Sequence, residues 1–492
     1  MELRRAEEYA AWLAIMDVPA EREGWYRKCT QWAPGYAWGW LISGLDRANH
    51  ADFAGAIRDY DEALRLDAGD WRFYLCRGTA RAKMGDHAAA LPDFEKAVAI
   101  APSATSCNNR GLSRQHNGDL PGALRDFEEA IRLEPASAYA RCNIGGIRDV
   151  NRDYDGALRD YNEAIRLDPD YAAPYSNRGA LRKRKGEFDA ALDDFATAIR
   201  LDPTWPTSYI NRGNLHYERG DKDAALADYE TAMRVDPRCG TAWYNRGLVR
   251  RDRGDVAGAL EDFAEAARRD PRHAEARTSG GILLQKQGDV EGAIREFDAV
   301  LKLGATAAAH ANRGAARALK GDSAGALADY DEAIRLDPKC AAAWCNRGNL
   351  RRDKGDYLAA LPDYDEAIKQ DPNYADAYAS RALLHKTTNN LPEAMRDYDE
   401  ALRLHPTNAY ALNGRGNISR GKGDTDKALA DYEAAIKSEP RMPEPLVGRA
   451  GIRMDRNDAK GAIADLELAL SVAPPNWHAR AAVQRFLEQA RK

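Results

Sequence analysis

The sequence predicts an all-α solenoid, in which about thirteen 34-residue helix-turn-helix units follow one another along the chain. Three observations predict it. A small residue recurs at Gly44, Gly78, Gly111, Gly145, Gly179, Gly213, Gly247, Gly281, Gly314, Gly348, Ala382, Gly416 and Ala450, at intervals of 34 except for two of 33. A Gly-Asp pair marks the middle of many units, as at Gly220-Asp221, Gly254-Asp255 and Gly355-Asp356. A small, an aromatic and a small residue then fall at i, i+4 and i+7, as in Ala259, Phe263 and Ala266, which is one stripe of a helix. A unit that repeats in this way cannot bury its apolar face alone and stacks on its neighbours.

The elements follow in order. Residues 1–36 are expected to form an N-terminal cap or a degenerate repeat, residues 37–476 the thirteen tandem units, and residues 477–492 a C-terminal capping helix. Trp12, Trp25, Trp32, Trp38, Trp40 and Trp71 crowd the beginning and are expected to fill the core of an atypical cap. In each unit the first helix carries its Gly where a second helix comes close. The turn Gly supplies a left-handed backbone, and the Asp after it caps the second helix. Ala stands at the first stripe position in every unit, from Ala56 to Ala462. Pro169, Pro203, Pro237 and Pro338 end second helices by removing a donor and crowding the preceding turn. In the last segment, Ala482, Phe486 and Leu487 are expected to face inward.

The totals exclude several classes of function. The 492 residues carry a formal net charge of -5, so no basic excess argues for nucleic acid or an anionic membrane surface. No run of 18 apolar residues is present, and the charged start Met1-Glu-Leu-Arg-Arg lacks the apolar core of a signal peptide. The seven cysteines form no C-x-x-C pair and read as free thiols in a reducing compartment, so a cytoplasmic location is expected.

The segment Thr241–His273 carries the pattern most cleanly, with Trp243, Gly247, Ala259, Phe263, Ala266 and Pro271 at positions 4, 8, 20, 24, 27 and 32 of the unit. On these residues the chain resembles the tetratricopeptide-repeat (TPR) family, which implies a right-handed superhelix with a concave groove. Two departures are systematic. Position 7 is Arg in most units, among them Arg77, Arg178, Arg313 and Arg347, and position 11 is often Arg, as at Arg81, Arg182 and Arg317. Asp recurs just before the stripe aromatic, as at Asp160, Asp194 and Asp329, and is the expected partner of the position-7 Arg.

Position 6 holds Asn109, Asn143, Asn177, Asn211, Asn245, Asn312 and Asn346, with Ser279 interrupting. The family resemblance places position 6 on the groove wall, in an arrangement similar to the asparagine ladder of O-linked N-acetylglucosamine transferases. An amide offers a donor and an acceptor and can pair with a peptide unit. Asn214 and Asn349 at position 9, with Lys183, Arg251 and Arg352 at position 12, are expected to join this peptide-binding surface. The carboxylate clamp of chaperone-binding relatives is broken, because Glu275 and Ser279 stand where it needs basic residues.

Catalytic and metal-binding patterns are absent. The nine histidines show no ligand spacing, and Gly416–Gly423 imitates a phosphate loop without the Ser or Thr that would hold magnesium. No cofactor is expected. The function that follows is a non-enzymatic scaffold binding an extended segment of a protein partner in its groove. The alternative is a substrate-recruiting module for an enzyme whose catalytic domain is on another chain or absent here. The sequence leaves the oligomeric state open.

Overall fold

The computed structural model describes residues 30, 34–474 and 477–491. Trp12, Trp25, Trp32 and Cys29, and with them most of the expected N-terminal cap, lie outside the described residues. Among the described residues there are 27 helices and no strand. They begin with Ala37–Asn49 and Phe53–Leu66, alternate 13- or 14-residue first helices with 14-residue second helices, and end with Arg480–Ala490. The chain divides into two compact parts, Met1–Val249 and Arg250–Lys492, and each is described by itself.

Inside both parts the local rules are the same. Every turn between the paired helices passes through one left-handed residue. Nine of these are glycines, such as Gly220 at φ +84° and Gly355 at φ +81°, while Ala51, Arg152, Asn389 and Asn457 adopt the same conformation without that freedom. The next residue is usually an Asp whose carboxylate accepts the N–H three positions on, as Asp221 does from Ala224 at 3.0 Å. Glu187, Asn390 and Asp424 hold that place without a side-chain cap.

The core of a unit is the stripe of its second helix set against the small residue of its first. Tyr229, Phe195 and Tyr364 are almost wholly buried, each between alanines of zero exposure. Burying one such ring contributes about 1.5–3 kcal/mol. The ring needs the space left by the first-helix Gly: a Cβ on Gly213 would lie 2.8 Å from Tyr229 Cε1, and one on Gly44 would lie 2.4 Å from Tyr60 Cε1. First helices of successive units touch one another, and second helices of successive units do not make comparable contacts. The first helices therefore form the closer-spaced inner layer within each part.

The final helix differs in one detail from expectation. It buries Val483, Leu487 and Ala490, with Phe486 half-buried, whereas Ala482 is exposed. The buried residues fall at i, i+4 and i+7, and Trp477 joins their cluster, its Nε1 donating to Glu444 at 3.0 Å.

Candidate functional site

Most units are organised by a position-7 arginine, which Ser43, Ile144 and Gly280 replace in three of them. Arg178 reaches forward 16 residues to Asp194 with Nε and Nη2 at 3.0 and 2.6 Å, and back 16 residues to Asn162 with Nη1 at 2.6 Å. Arg347 does the same with Asp363 and Asp331, Arg381 with Asp397 and Asp365, and Arg415 with Asp431 and Asp399. One guanidinium thus ties its own second helix to the second helix of the preceding unit. It also lies against the position-4 aromatic, Arg347 at 4.7 Å from the Trp344 ring centroid and Arg178 at 5.5 Å from Tyr175. The aromatic is held in turn by the loop before it: Trp344 Nε1 donates to the Pro338 carbonyl at 3.0 Å.

The position-11 arginine supplies the second cation to the same aspartate. Arg182 Nη1 lies 2.8 Å from Asp194, and Arg317 Nη1 lies 2.8 Å from Asp329. Burial alone would push Asp329 up, but hydrogen bonds from Arg313 and His310 and the charges of Arg313 and Arg317 hold it below the usual carboxylate value. Hydrogen bonds to Asp397 and Asp431 likewise raise Arg381 and Arg415 above the ordinary guanidinium value, against the opposing effect of burial.

The position-6 amides sit half-buried on the inner layer and are anchored to the unit before them. Asn143 Nδ2 donates to Asn108 Oδ1 at 2.8 Å, Asn211 Nδ2 to Ser176 Oγ at 3.5 Å, and Asn177 Nδ2 to Cys142 Sγ at 3.5 Å. Asn109 Nδ2 reaches Thr79 Oγ1 at 3.5 Å, and Asn245 Nδ2 reaches Asn214 Oδ1 at 2.9 Å. Asn312 and Asn346 are half-buried and have no side-chain hydrogen bond among the described residues. After Asn346 the row gives way to Ser380, and beyond it Gly414 and Gly448 occupy position 6, where a Cβ would lie 2.3 and 2.5 Å from Tyr398 and Tyr432.

The position-9 asparagines have a task that the sequence reading missed. Asn214, Asn349 and Asn417 each accept the buried hydroxyl of the tyrosine 15 residues later, Tyr229, Tyr364 and Tyr432, at 2.7, 2.9 and 2.8 Å. The signal was available in the sequence: all three stand in units whose stripe aromatic is Tyr and none where it is Phe. A buried phenol needs a partner, and an amide oxygen at this place provides it.

The position-12 cations are matched by nearby acids. Lys183 Nζ lies 2.6 Å from Glu218 of the next unit, Arg251 Nη2 lies 2.8 Å from Asp252, and Arg352 pairs with Asp353 at 2.9 Å while donating to Asn349. The inner face therefore carries paired charge beside the row of amides. Among the described residues no helix is long and apolar enough to cross a membrane.

The fold and this repeated arrangement define an α-helical repeat protein. The tetratricopeptide-repeat family model matches residues 43–105, 210–276, 279–344, 345–409 and 413–476, and a TPR-repeat model matches residues 153–186. The chain belongs to the tetratricopeptide-repeat family. Solved structures similar to it include the APC/C hetero-tetramer Cut9–Hcn1, at 15% identity over 92% of this chain and 96% of that one, with a TM-score of 0.47. Yeast Tom70 is similar at 18% identity over 93% and 96%, with a TM-score of 0.42. A tetratricopeptide repeat protein from Parabacteroides merdae ATCC 43184 is similar at 20% identity over 52% of this chain and all of that one, with a TM-score of 0.41. No curated protein matches in sequence.

Proposed function

We propose that the protein is a non-enzymatic interaction scaffold whose inner layer of first helices binds an extended segment of a partner protein. The observation that carries this reading is the anchored row of amides. Asn143, Asn177 and Asn211 each commit their N–H to the preceding unit, and their Oδ1 atoms have no hydrogen-bond partner among the described residues. Side chains fixed in this way lose little further freedom on binding, so each bond to a ligand backbone keeps more of its net value of about 0.5–1.5 kcal/mol. Oxygens spaced once per unit would accept backbone N–H groups and would therefore read an extended chain without demanding one sequence. The paired charges of Lys183, Arg251 and Arg352 fit a segment of mixed sign better than a polyanion.

Peptide-display selection on the native chain tests this, with a variant carrying Asn177→Ala, Asn211→Ala, Asn245→Ala and Asn346→Ala selected in parallel. Circular dichroism must first show the variant folded. Peptides enriched on the native chain and lost from the folded variant are the expected result. Equal enrichment on both would mean that the amides only join units together.

A further inference from the structure

The first part holds a cleft between successive units. It lies where the loops leaving the second helices Tyr154–Leu167 and Phe188–Leu201 meet the start of the next first helices, and its volume is about 470 Å³. Three aromatic rings and three carboxylates line it: Tyr139, Tyr171, Trp205, Asp168, Asp170 and Asp202. No Lys or Arg is among the lining residues.

The two loops are built alike, Asp168-Pro-Asp-Tyr171 and Asp202-Pro-Thr-Trp205. Asp168 Oδ1 accepts the Asp170 N–H at 3.1 Å, and Asp202 Oδ1 accepts both the N–H and the hydroxyl of Thr204, at 3.0 and 2.7 Å. These turns fix the two carboxylates and leave the second oxygen of each unused. The rings are fixed as well: Tyr171 is half-buried and lies 4.6 Å from Tyr139 between centroids, tilted by 45°, while Tyr139 is 57% exposed at the mouth. The residue immediately before the first helix is aromatic in two consecutive units only here, at Tyr171 and Trp205; elsewhere it is mostly small or polar, as at Ser103, Ser137, Cys239 and Thr306.

We infer that this cleft is a binding site for an arginine side chain of a partner protein. A bare divalent ion needs six or more oxygen ligands, and here as many rings as carboxylates line the cleft. A guanidinium satisfies both halves: its planar face stacks on tyrosine or tryptophan, and its edge donates in a fork to carboxylate oxygens. An ammonium offers neither the plane nor the fork, and a neutral side chain leaves three carboxylates unmatched. Tyr139 and Ala173 stand one helical turn before Asn143 and Asn177, so the cleft adjoins the row of amides, but none of those amides lines it and its chemistry does not depend on their contacting a ligand.

Saturation-transfer NMR on the full chain tests the assignment with three probes: acetyl-arginine amide, acetyl-lysine amide and acetyl-citrulline amide, the last being the uncharged near-isostere of the first. Saturation of the arginine probe is expected to exceed that of both others and to fall by about fivefold in Tyr139→Ala/Asp170→Asn. Both substituted residues are exposed and on loop or mouth positions, and circular dichroism must first show that the helices remain. Three outcomes each overturn the inference: citrulline saturated as strongly as arginine, lysine saturated as strongly as arginine, or a folded double variant that keeps the native response.

Discussion

The unit around Asp160 and the unit around Asp329 are built to one plan and differ in what holds the aspartate, above all at position 7. Both aspartates precede a buried tyrosine and are themselves buried, at 4% and 2% exposure. Asp329 is held by Arg313 at 2.5 Å, by Arg317 at 2.8 Å and by His310 at 3.0 Å. In the other unit position 7 is Ile144, so Asp160 keeps only Arg148 at 2.7 Å and a distant Arg141 at 3.9 Å. The same burial therefore has opposite results. Desolvation prevails at Asp160 and raises its pKa despite the charges of Arg148 and Arg141, whereas the hydrogen bonds of Arg313 and His310 and the two arginine charges overcome it at Asp329. Of these two buried acids, the one with two close arginines and a histidine is favoured as the ion, and the one with a single close arginine is not.

The largest effect is expected where the remaining cation is removed. Arg148→Ala should cost about 3–5 kcal/mol, because it leaves a buried carboxylate with no close partner. Arg317→Ala leaves Arg313 in place and should cost about 1–2 kcal/mol. Hydrogen exchange in the helices Tyr154–Leu167 and Ser323–Leu336 would measure both, and equal losses would abolish the distinction. Next comes Gly213→Leu, which drives a side chain into Tyr229 and should cost about 1–3 kcal/mol; an unchanged melting temperature would show that the ring can move aside.

The pH dependence should differ in sign between the two units. The folded pKa of Asp329 is depressed, so its contribution is present above the ordinary value of 3.8 and is lost as pH falls through the folded value. That of Asp160 is raised, so its ionised form weakens the fold at neutral pH, and acidification through the folded value relieves the cost. At pH 7, Asp329→Asn should therefore destabilise by about 1.5–3 kcal/mol, while Asp160→Asn should be neutral or stabilising. Melting curves of the two variants at pH 7 and pH 4 would decide it. The smallest effect concerns the left-handed turn: Arg152→Gly should add about 0.5–1 kcal/mol, since Arg152 holds φ +64° without a glycine's freedom. Destabilisation on that change would mean that the Arg152 side chain matters more than its backbone.

Much of this was legible because a repeat states each rule many times. The spacing of the glycines, the Gly-Asp turns and the pairing of the position-7 arginine with the aspartate before the aromatic follow from residues that recur in register. The second reach of that arginine, back to Asp331 or Asp365 in the preceding unit, was harder to see, because an acid at that place looks like any other on a solvated helix face. The position-9 asparagines also accept the hydroxyls of Tyr229 and Tyr364, a link visible only when two positions are compared across units. The cleft at Tyr171 and Trp205 was not legible at all. It depends on two loops that are unremarkable singly and meet only when stacked.

The reach of the position-7 arginine also bears on how such a chain changes length. Its partners lie 16 residues ahead and 16 behind, and the longest side-chain hydrogen bonds between described residues span 35 positions. Every tie is therefore either within a unit or to the next one along. If the 34-residue block containing Asp331 or Asp365 were excised or duplicated in frame, the arginine at the new junction would meet an acid of the same type at the same distance. Copy number can drift by whole units while such junctions stay chemically complete, and the units with Ile144 and Gly280 at position 7 mark joints that lack this arginine.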